Sequence, residues 1–225
     1  MYAEGAELIE NALANMPEGF VKTFGLDIGT IFSFGGFYGF IFGYMAMVGA
    51  IMAVIVSVAI FSREKRGKCM DFVMTKPVSR NKIFWEKFLA GFSILTGMNI
   101  VYGLFLFAIQ GDTDKAFILS IFSLYFTQMV FFAIGILLGI LLKKVRSVSG
   151  VGMAVGIVGF ALSAIVGLLE KEQLLILAPL KYFDPGAIYL NGGYTTKFVV
   201  ASIIIFLICM VISYLKYCKS DIDAV

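Results

Sequence analysis

Charged side chains that could bind a partner are concentrated in one stretch of the chain, residues 62–87. It holds eight of the eighteen Lys and Arg residues, against Glu64, Asp71 and Glu86 alone, so its charge balance is +5. The chemistry of such a stretch is recognition, because a basic surface binds anionic lipid headgroups or an acidic face of another protein. Long runs with almost no charge lie on either side of it.

A proline and a serine divide this stretch. Pro77 ends any helix that runs into it, and Ser79 can cap a new helix that begins at Arg80. The pattern predicts a short amphipathic helix, a proline turn and a helix that continues into the next hydrophobic run. Such an element would present a rigid knob to a cytosolic partner. A solvated loop that binds lipid is the alternative that these residues leave open.

Residues of the usual catalytic and metal-binding kinds are missing or scattered. The chain has no histidine, which excludes histidine-based triads, imidazole metal sites and histidine proton relays. Cys69, Cys209 and Cys218 share no motif spacing. No glycine-rich phosphate-binding loop ending in Gly-Lys-Ser/Thr occurs either. We predict no catalytic residue, metal or nucleotide site in this chain, so ATP-driven work would need another subunit.

Five hydrophobic runs must position the basic stretch. The chain of 225 residues is 60% hydrophobic and 15% charged, with a mean hydropathy of +0.94, which is typical of an integral membrane protein. We predict an all-α fold, a single domain over 1–225, with five transmembrane helices. The predicted spans are 32–61, 88–109, 117–142, 148–169 and 198–215. An acidic amphipathic segment, 1–31, precedes them, and the aromatic and proline content of 170–197 predicts short helices at the membrane interface.

The positions of the positive charges predict how the spans are oriented. With the N-terminus outside, thirteen Lys and Arg residues lie in the inner loops and tail, against five outside. The positive-inside rule favours this orientation. It makes 62–87 and the C-terminus cytoplasmic and 170–197 external.

The spans themselves contain no Asp, Glu, Lys or Arg. This disfavours a proton-coupled transporter or pump, which usually keeps an ionisable group in the membrane. Asn99, Gln110 and Gln128 are the most polar side chains in or beside the spans. Each could contact a substrate, but we favour interhelical hydrogen bonding.

Glycines repeat at every fourth position in the first span, at Gly35, Gly39 and Gly43. Small residues at this spacing allow a neighbouring helix to approach closely. The row predicts helix packing, either within the chain's own bundle or across a dimer.

The basic stretch resembles the first cytoplasmic loop of type-2 (export) ABC transporter permeases. The residues that carry the resemblance are Glu64, Gly67, Asp71, Thr75, Lys76, Pro77, Val78, Ser79, Arg80, Ile83 and Lys87. In that family a coupling helix before a Pro-Val-Ser-Arg turn fits a cleft on the ATPase subunit. The match departs where Lys68 and Cys69 occupy the family's Gly-Thr positions, and Gly67 lies one residue early. The acidic segment 1–31 and residues 180–185 also resemble external loops of the family.

The resemblance implies the permease subunit of an ATP-driven exporter, which moves substrate when coupled to a separate ATPase subunit. ATP and Mg would bind on that ATPase, and a second permease copy or paralogue would form a dimer in the lipid bilayer of a cell membrane, the bacterial plasma membrane in particular. No nucleic acid is expected. The residues implied in ATPase docking are Glu64, Gly67, Asp71, Phe72, Thr75, Pro77, Ser79, Arg80, Lys143 and Arg146.

Members of that family have six spans, and this chain resembles them from the second span onward. We therefore expect a truncated sequence in preference to a natural five-span variant. The alternative function is a non-transporting membrane anchor or sensor subunit, whose basic loop binds anionic lipid. The substrate is not identified by these residues, because apolar, aromatic-rich spans suit amphipathic cargo and lipid equally.

Overall fold

The computed structural model of the protein describes residues 34–67, 79–110, 114–142, 144–169 and 172–219. These residues form seven α-helices and two short 3₁₀ helices, and no strand occurs among them. The α-helices are α1 (Phe34–Phe61), α2 (Arg63–Gly67), α3 (Arg80–Gln110), α4 (Lys115–Leu141), α5 (Val148–Leu169), α6 (Pro185–Asn191) and α7 (Thr196–Lys219). The 3₁₀ helices are Glu172–Leu177 and Pro179–Lys181.

Within the described ranges, five helices are long and apolar enough to cross a membrane: α1, α3, α4, α5 and α7. This confirms the predicted all-α fold with five spans. The shortest, α5, has 22 residues, which at a rise of about 1.5 Å per residue exceeds a hydrocarbon core of about 30 Å. α3 and α7 extend beyond the charge-free runs 88–109 and 198–215. The basic residues at their ends can lie at the membrane surface, so a transmembrane helix need not end where its charge-free run ends. The orientation across the membrane stays a prediction, and the segment 1–31 lies outside the described residues.

α1 and α4 form the centre of the bundle and pack closely against each other. Ala46, Ala50 and Ala53 of α1 are completely buried. A Cβ atom added at Gly135 of α4 would lie 2.9 Å from the Cα atom of Val54, so the two backbones meet where α4 lacks a side chain. Such small residues allow transmembrane helices to pack without intervening side chains.

The remaining spans surround this pair to different degrees. α5 packs against α1 through Gly152 and Gly156, which receive the side chains of Ile55 and Ile51. α7 packs mainly against α4. α3 is the least enclosed span, since 17% of its most apolar window is buried, against 61% for α4. Its contacts with the bundle therefore depend on long side chains.

Short helices between α5 and α7 cover one end of the bundle. The sequence predicts short helices for 170–197, and their position at the membrane interface stays a prediction. Asp184 caps α6, because its Oδ1 atom accepts a hydrogen bond from the Gly186 N–H at 3.0 Å. Gly192 ends the same helix with φ of 69°, a backbone conformation that favours glycine. Gly39 of α1 lies against α6, where an added Cβ atom would be 3.2 Å from the nitrogen of Gly186.

Replacing Gly135 with alanine should destabilise the bundle. The added methyl group would overlap the Ser57 hydroxyl and press on the backbone of Val54, so we expect a loss of about 1–3 kcal/mol. The measurement is the melting temperature in detergent. Gly97→Ala on α3 is the matched control, because no described atom lies within 4 Å of a Cβ atom placed there. If the two variants have the same melting temperature, the close contact between α1 and α4 is contradicted.

Asp184 should make stability depend on pH. Burial raises the pKa of its carboxyl group, although the Gly186 N–H and the Lys181 cation act in the opposite direction. Because the folded-state pKa is raised, ionisation destabilises the folded chain: the contribution is favourable at low pH and is lost as pH rises through that pKa. Asp184→Asn keeps a capping side chain without the charge. Its melting temperature should therefore rise relative to that of the native protein as pH rises from about 4, the ordinary pKa of an aspartate, towards neutral pH.

Asp184→Ala separates the cap from the charge, because it removes both. We expect it to be about 1 kcal/mol less stable than Asp184→Asn at every pH. The difference in melting temperature between Asp184→Asn and the native protein should change over this pH range. If it stays constant, ionisation of the buried carboxyl group has no effect on stability.

Candidate functional site

Three contacts bring the ends of α2, α3, α4 and α7 together at one end of the bundle. Glu64 of α2 pairs with Lys87 of α3, and Lys65 of α2 binds the end of α4. Arg80 at the start of α3 binds the end of α7. α1 ends here and α5 begins here. We call this the basic end, and it lies opposite to the end covered by α6.

Lys65 binds the carbonyl end of α4. Its Nζ atom donates to the backbone oxygen of Ile140 at 2.6 Å and lies 3.4 Å from that of Leu142. The last carbonyl groups of a helix have no partner within it and form the negative end of its dipole, so a lysine here supplies both a donor and a positive charge. Burial lowers the pKa of Lys65, and the nearby Lys87 cation lowers it further. Carbonyl oxygens thus replace part of the water around this ammonium group.

Lys87 is surrounded by groups that favour its charge. Its Nζ atom lies 2.5 Å from Glu64 Oε2, in a pair whose side chains are only 12% and 19% exposed. The same atom lies 5.8 Å from the centre of the Phe61 ring and 5.6 Å from that of Tyr217, within the range of cation–π attraction. One lysine therefore links α1, α2, α3 and α7.

An aromatic cluster packs beside this lysine. Phe84 of α3 is completely buried, and its ring centre lies 5.4 Å from Phe61, 5.4 Å from Tyr214 and 5.6 Å from Tyr217. The first two pairs meet edge to face, an arrangement that aromatic rings favour. The cluster joins α1, α3 and α7 and encloses the Glu64–Lys87 pair on its apolar side.

α3 begins where the sequence predicts. Ser79 Oγ accepts a hydrogen bond from the Lys82 N–H at 3.4 Å, which makes Ser79 the N-cap of a helix that begins at Arg80. The Nη1 atom of Arg80 donates to the backbone oxygen of Cys218 at 3.2 Å. The first turn of α3 is thus fixed both by its own cap and by α7.

The connection from α4 to α5 lies at the same end. Val145 is buried, whereas Lys144 and Arg146 on either side of it are exposed. Ser147 Oγ accepts a hydrogen bond from the Gly150 N–H at 3.0 Å and so caps α5. The connection is anchored by one apolar side chain and leaves two cations at the surface.

Part of the predicted docking set lies at the basic end. The described members are Glu64, Gly67, Ser79, Arg80 and Arg146. The members outside the described residues are Asp71, Phe72, Thr75, Pro77 and Lys143. Docking of an ATPase by this set stays a prediction.

The glycine row on α1 has mixed surroundings. Gly39 lies against α6, and no described atom lies within 4 Å of a Cβ atom placed at Gly43. The surroundings of Gly35 are not among those described. A role of the row in a dimer stays a prediction.

Lys65 and Tyr217 help to hold the helices together at the basic end. The local sequence pattern does not predict which groups either residue contacts. Lys65 does follow a long apolar run, which is a signal for a position at the membrane surface. Its hydrogen-bond partner Ile140, however, lies 75 residues away. Only the packing of α1 against α4 brings the two together.

Polar contacts also connect the spans. Asn99 Nδ2 donates to Gln128 Oε1 at 2.6 Å, which confirms a predicted interhelical hydrogen bond, here between α3 and α4. The hydroxyl groups of Tyr38 and Tyr102 lie 2.6 Å apart and link α1 to α3. The side chain of Gln110 is not described. In the part of the chain that the structure describes, no group of three or more His, Cys, Asp or Glu residues could hold a metal ion.

The Glu64–Lys87 pair should show strong energetic coupling. Glu64→Gln or Lys87→Gln alone leaves an enclosed charge unpaired, so each should lower the free energy of unfolding by at least about 2 kcal/mol. The double variant should lose less than the sum of the two. Denaturation in detergent measures all four proteins of this cycle.

The exposed pair Lys82–Glu86 is the matched control for that cycle. Its atoms lie 3.9 Å apart, and its side chains are 68% and 62% exposed. Water and salt screen such a pair, so its coupling should be about 0.5 kcal/mol or less. Equal coupling in the two cycles would contradict an enclosed ion pair at the basic end.

Comparison with known proteins identifies a family. The sequence model of the family described as ABC-2 family transporter protein matches residues 3–222, which is nearly the whole chain. No curated protein and no solved structure matches. Members of this family are membrane components of ABC transporters and are generally not catalytic themselves. Membership implies association with an ABC ATPase and usually dimerisation. With its five apolar helices, the chain therefore belongs to the ABC-2 transporter family and is a multi-pass permease of the cell membrane.

Proposed function

We propose that this permease is the membrane half of an ATP-driven exporter and moves substrate when coupled to a separate ATPase subunit at its basic end. ATP and Mg bind on that ATPase, and a second permease copy or paralogue completes the dimer. The basic end is the cytoplasmic end in this proposal, in agreement with the distribution of positive charge.

The proposal rests on the contacts that hold the chain on both sides of residues 68–78. Before this segment, Lys65 ties α2 to α4 and Glu64 ties it to α3. After it, Arg80 ties α3 to α7. α2 also follows α1 almost directly. A force on a partner bound to 68–78 would therefore act on four spans at once, whereas a loosely tethered loop would absorb it.

This arrangement suits coupling to a partner that changes shape. In the proposed cycle, ATP binding closes two ATPase subunits that are docked under the loops around Asp71 and Arg146. Their movement shifts the basic ends of the two permeases and converts an inward-facing state to an outward-facing one. The permease supplies the docking surface and the rigid connection, while the chemistry of hydrolysis stays on the ATPase.

The cations at the basic end fall into two groups. Lys65, Lys87 and Arg80 bind groups of the chain itself. Arg63 and Lys144 are exposed and can meet anions of a partner or of lipid headgroups. Only part of the basic charge is thus available for electrostatic binding, and the rest serves the structure of the docking end.

The second candidate function is a non-transporting membrane anchor or sensor, and the exposed cations are the observation that favours it. Binding to anionic lipid depends on charge and is screened by salt. Docking into a cleft would depend in addition on the shape of the turn that the sequence predicts at Pro77. The two functions therefore differ in their response to uncharged substitutions.

Co-purification with an ATPase tests the proposal. An ABC ATPase from the same genome, first of all any that is encoded beside this gene, is co-expressed and captured through a tag on the permease. Asp71→Arg should abolish the association, and Pro77→Ala and Ser79→Ala should each lower the recovered ATPase by about fivefold or more, the effect of losing a central interface contact. The double variant Arg63→Gln/Lys144→Gln is the control, because it removes exposed charge and leaves the turn unchanged.

Binding of the same variants to liposomes, with and without anionic lipid, separates the two functions. We expect the charge control to lose liposome binding and to retain most of its ATPase. The proposal fails if no ATPase co-purifies and Asp71→Arg changes nothing. Native behaviour of Pro77→Ala and Ser79→Ala, together with salt-sensitive lipid binding that depends on Arg63 and Lys144, would support the anchor function instead.

A further inference from the structure

A groove lies between α1, α3 and α4 at the level where α3 stands away from the other two. Its volume is about 390 Å³, within the range of small-molecule sites. The lining is almost entirely apolar and includes Met45, Val48, Met52 and Met98. Methionine side chains are flexible and repack at little cost, so such a wall adapts to the shape of an apolar molecule.

One polar pair, Asn99 and Gln128, also contributes to this groove. Gln128 is the middle residue of α4, Lys115–Leu141, so the pair lies near the centre of the bilayer. Both hydrogens of the Asn99 amide are used, because Nδ2 donates to Leu95 O at 2.8 Å and to Gln128 Oε1 at 2.6 Å.

The other polar atom of Asn99 lacks a partner. Its Oδ1 atom is buried, and no group among the described residues donates a hydrogen bond to it. An unpaired acceptor in an apolar site costs about 1–3 kcal/mol, and water is scarce at this depth. Asn99, at the wall of the groove, therefore has an enclosed acceptor without a described partner and no spare amide hydrogen to donate.

We propose that this groove binds a membrane-partitioned molecule that has an apolar body and a hydroxyl or N–H group, and that this group donates a hydrogen bond to Asn99 Oδ1. The apolar body fills the space between the methionine side chains, which shift to admit the donor to the enclosed oxygen. The proposal concerns binding alone. Its failure would leave the ATP-coupled function intact, because neither the ATPase nor the basic end takes part in the test.

A pair of photoreactive probes tests it on the full chain in lipid nanodiscs. One probe is a long-chain alcohol with a diazirine in its chain, and the other is the methyl ether of the same alcohol, which cannot donate a hydrogen bond. Mass spectrometry quantifies labelling of peptides that contain Met45, Met52 or Met98. We expect the alcohol to label these peptides about threefold to tenfold more than the ether.

Two variants and a control assign that preference to the groove. Asn99→Leu/Gln128→Leu should label equally with the two probes, because it removes Asn99 Oδ1 together with Gln128 Oε1, which Asn99→Leu alone would leave without its donor. Val48→Trp should reduce labelling by both probes, because it fills the groove without touching the polar pair. Val101→Trp is the control, since Val101 is 67% exposed on α3 and does not line the groove. It should behave as the native protein does.

The possible outcomes are distinct. Equal labelling of the native protein by the two probes would overturn the proposal, as would an alcohol preference that survives in Asn99→Leu/Gln128→Leu. Labelling that spreads evenly over lipid-facing residues such as Leu104 and Phe105 would show an ordinary lipid surface. Absence of labelling in the groove by either probe would show that something else, such as a second copy of the chain, covers it. Each of these last two results also overturns the proposal.

Discussion

The close contact between α1 and α4 determines how the rest of the bundle is arranged. Lipid tails are as apolar as the spans, so hydrophobic burial does not drive these helices together; small residues and polar bonds must do so. Gly135 against Val54 provides such a contact. α5 then packs its own glycines on α1, and α7 covers α4. α3 is left at a distance and reaches its neighbours with Lys87, Asn99 and Tyr102.

The same constraint explains why charges at the basic end bind the chain itself. A helix that ends near the membrane surface exposes carbonyl groups that need donors, and Lys65 meets that need for α4. Lys87 in turn needs an anion once aromatic rings enclose it, and Glu64 supplies one. Each interaction stabilises the fold because little water is present to compete with it. The basic end is consequently held by several contacts where it joins the spans, while Arg63 and Lys144 remain exposed.

The sequence was sufficient for features that depend on local properties. The length of apolar runs predicts the spans, capping preference predicts the start of α3 after Ser79, and aromatic and proline content predicts the short helices of 170–197. The sequence was insufficient to predict which residues of one span pack against another, because lipid-facing and protein-facing residues of an apolar helix are alike. Gly43 belongs to a regular row, yet no described atom lies within 4 Å of a Cβ atom placed there, whereas Gly135 meets a backbone. The groove and the partner of Lys65 depend on this pairing, so local pattern does not reveal them.

α3 connects the basic end to the groove. Lys87 and Asn99 lie on this one helix, twelve residues or about 18 Å apart. α1 and α4 are locked by backbone contact, and moving one against the other would disrupt packing along much of their length. α3 has few such contacts, and the buried Phe84 ring, individual hydrogen bonds and an ion pair hold it instead. Among the described spans, α3 is therefore the one that backbone packing restrains least, and it is also the span that carries both Lys87 at the basic end and Asn99 at the groove.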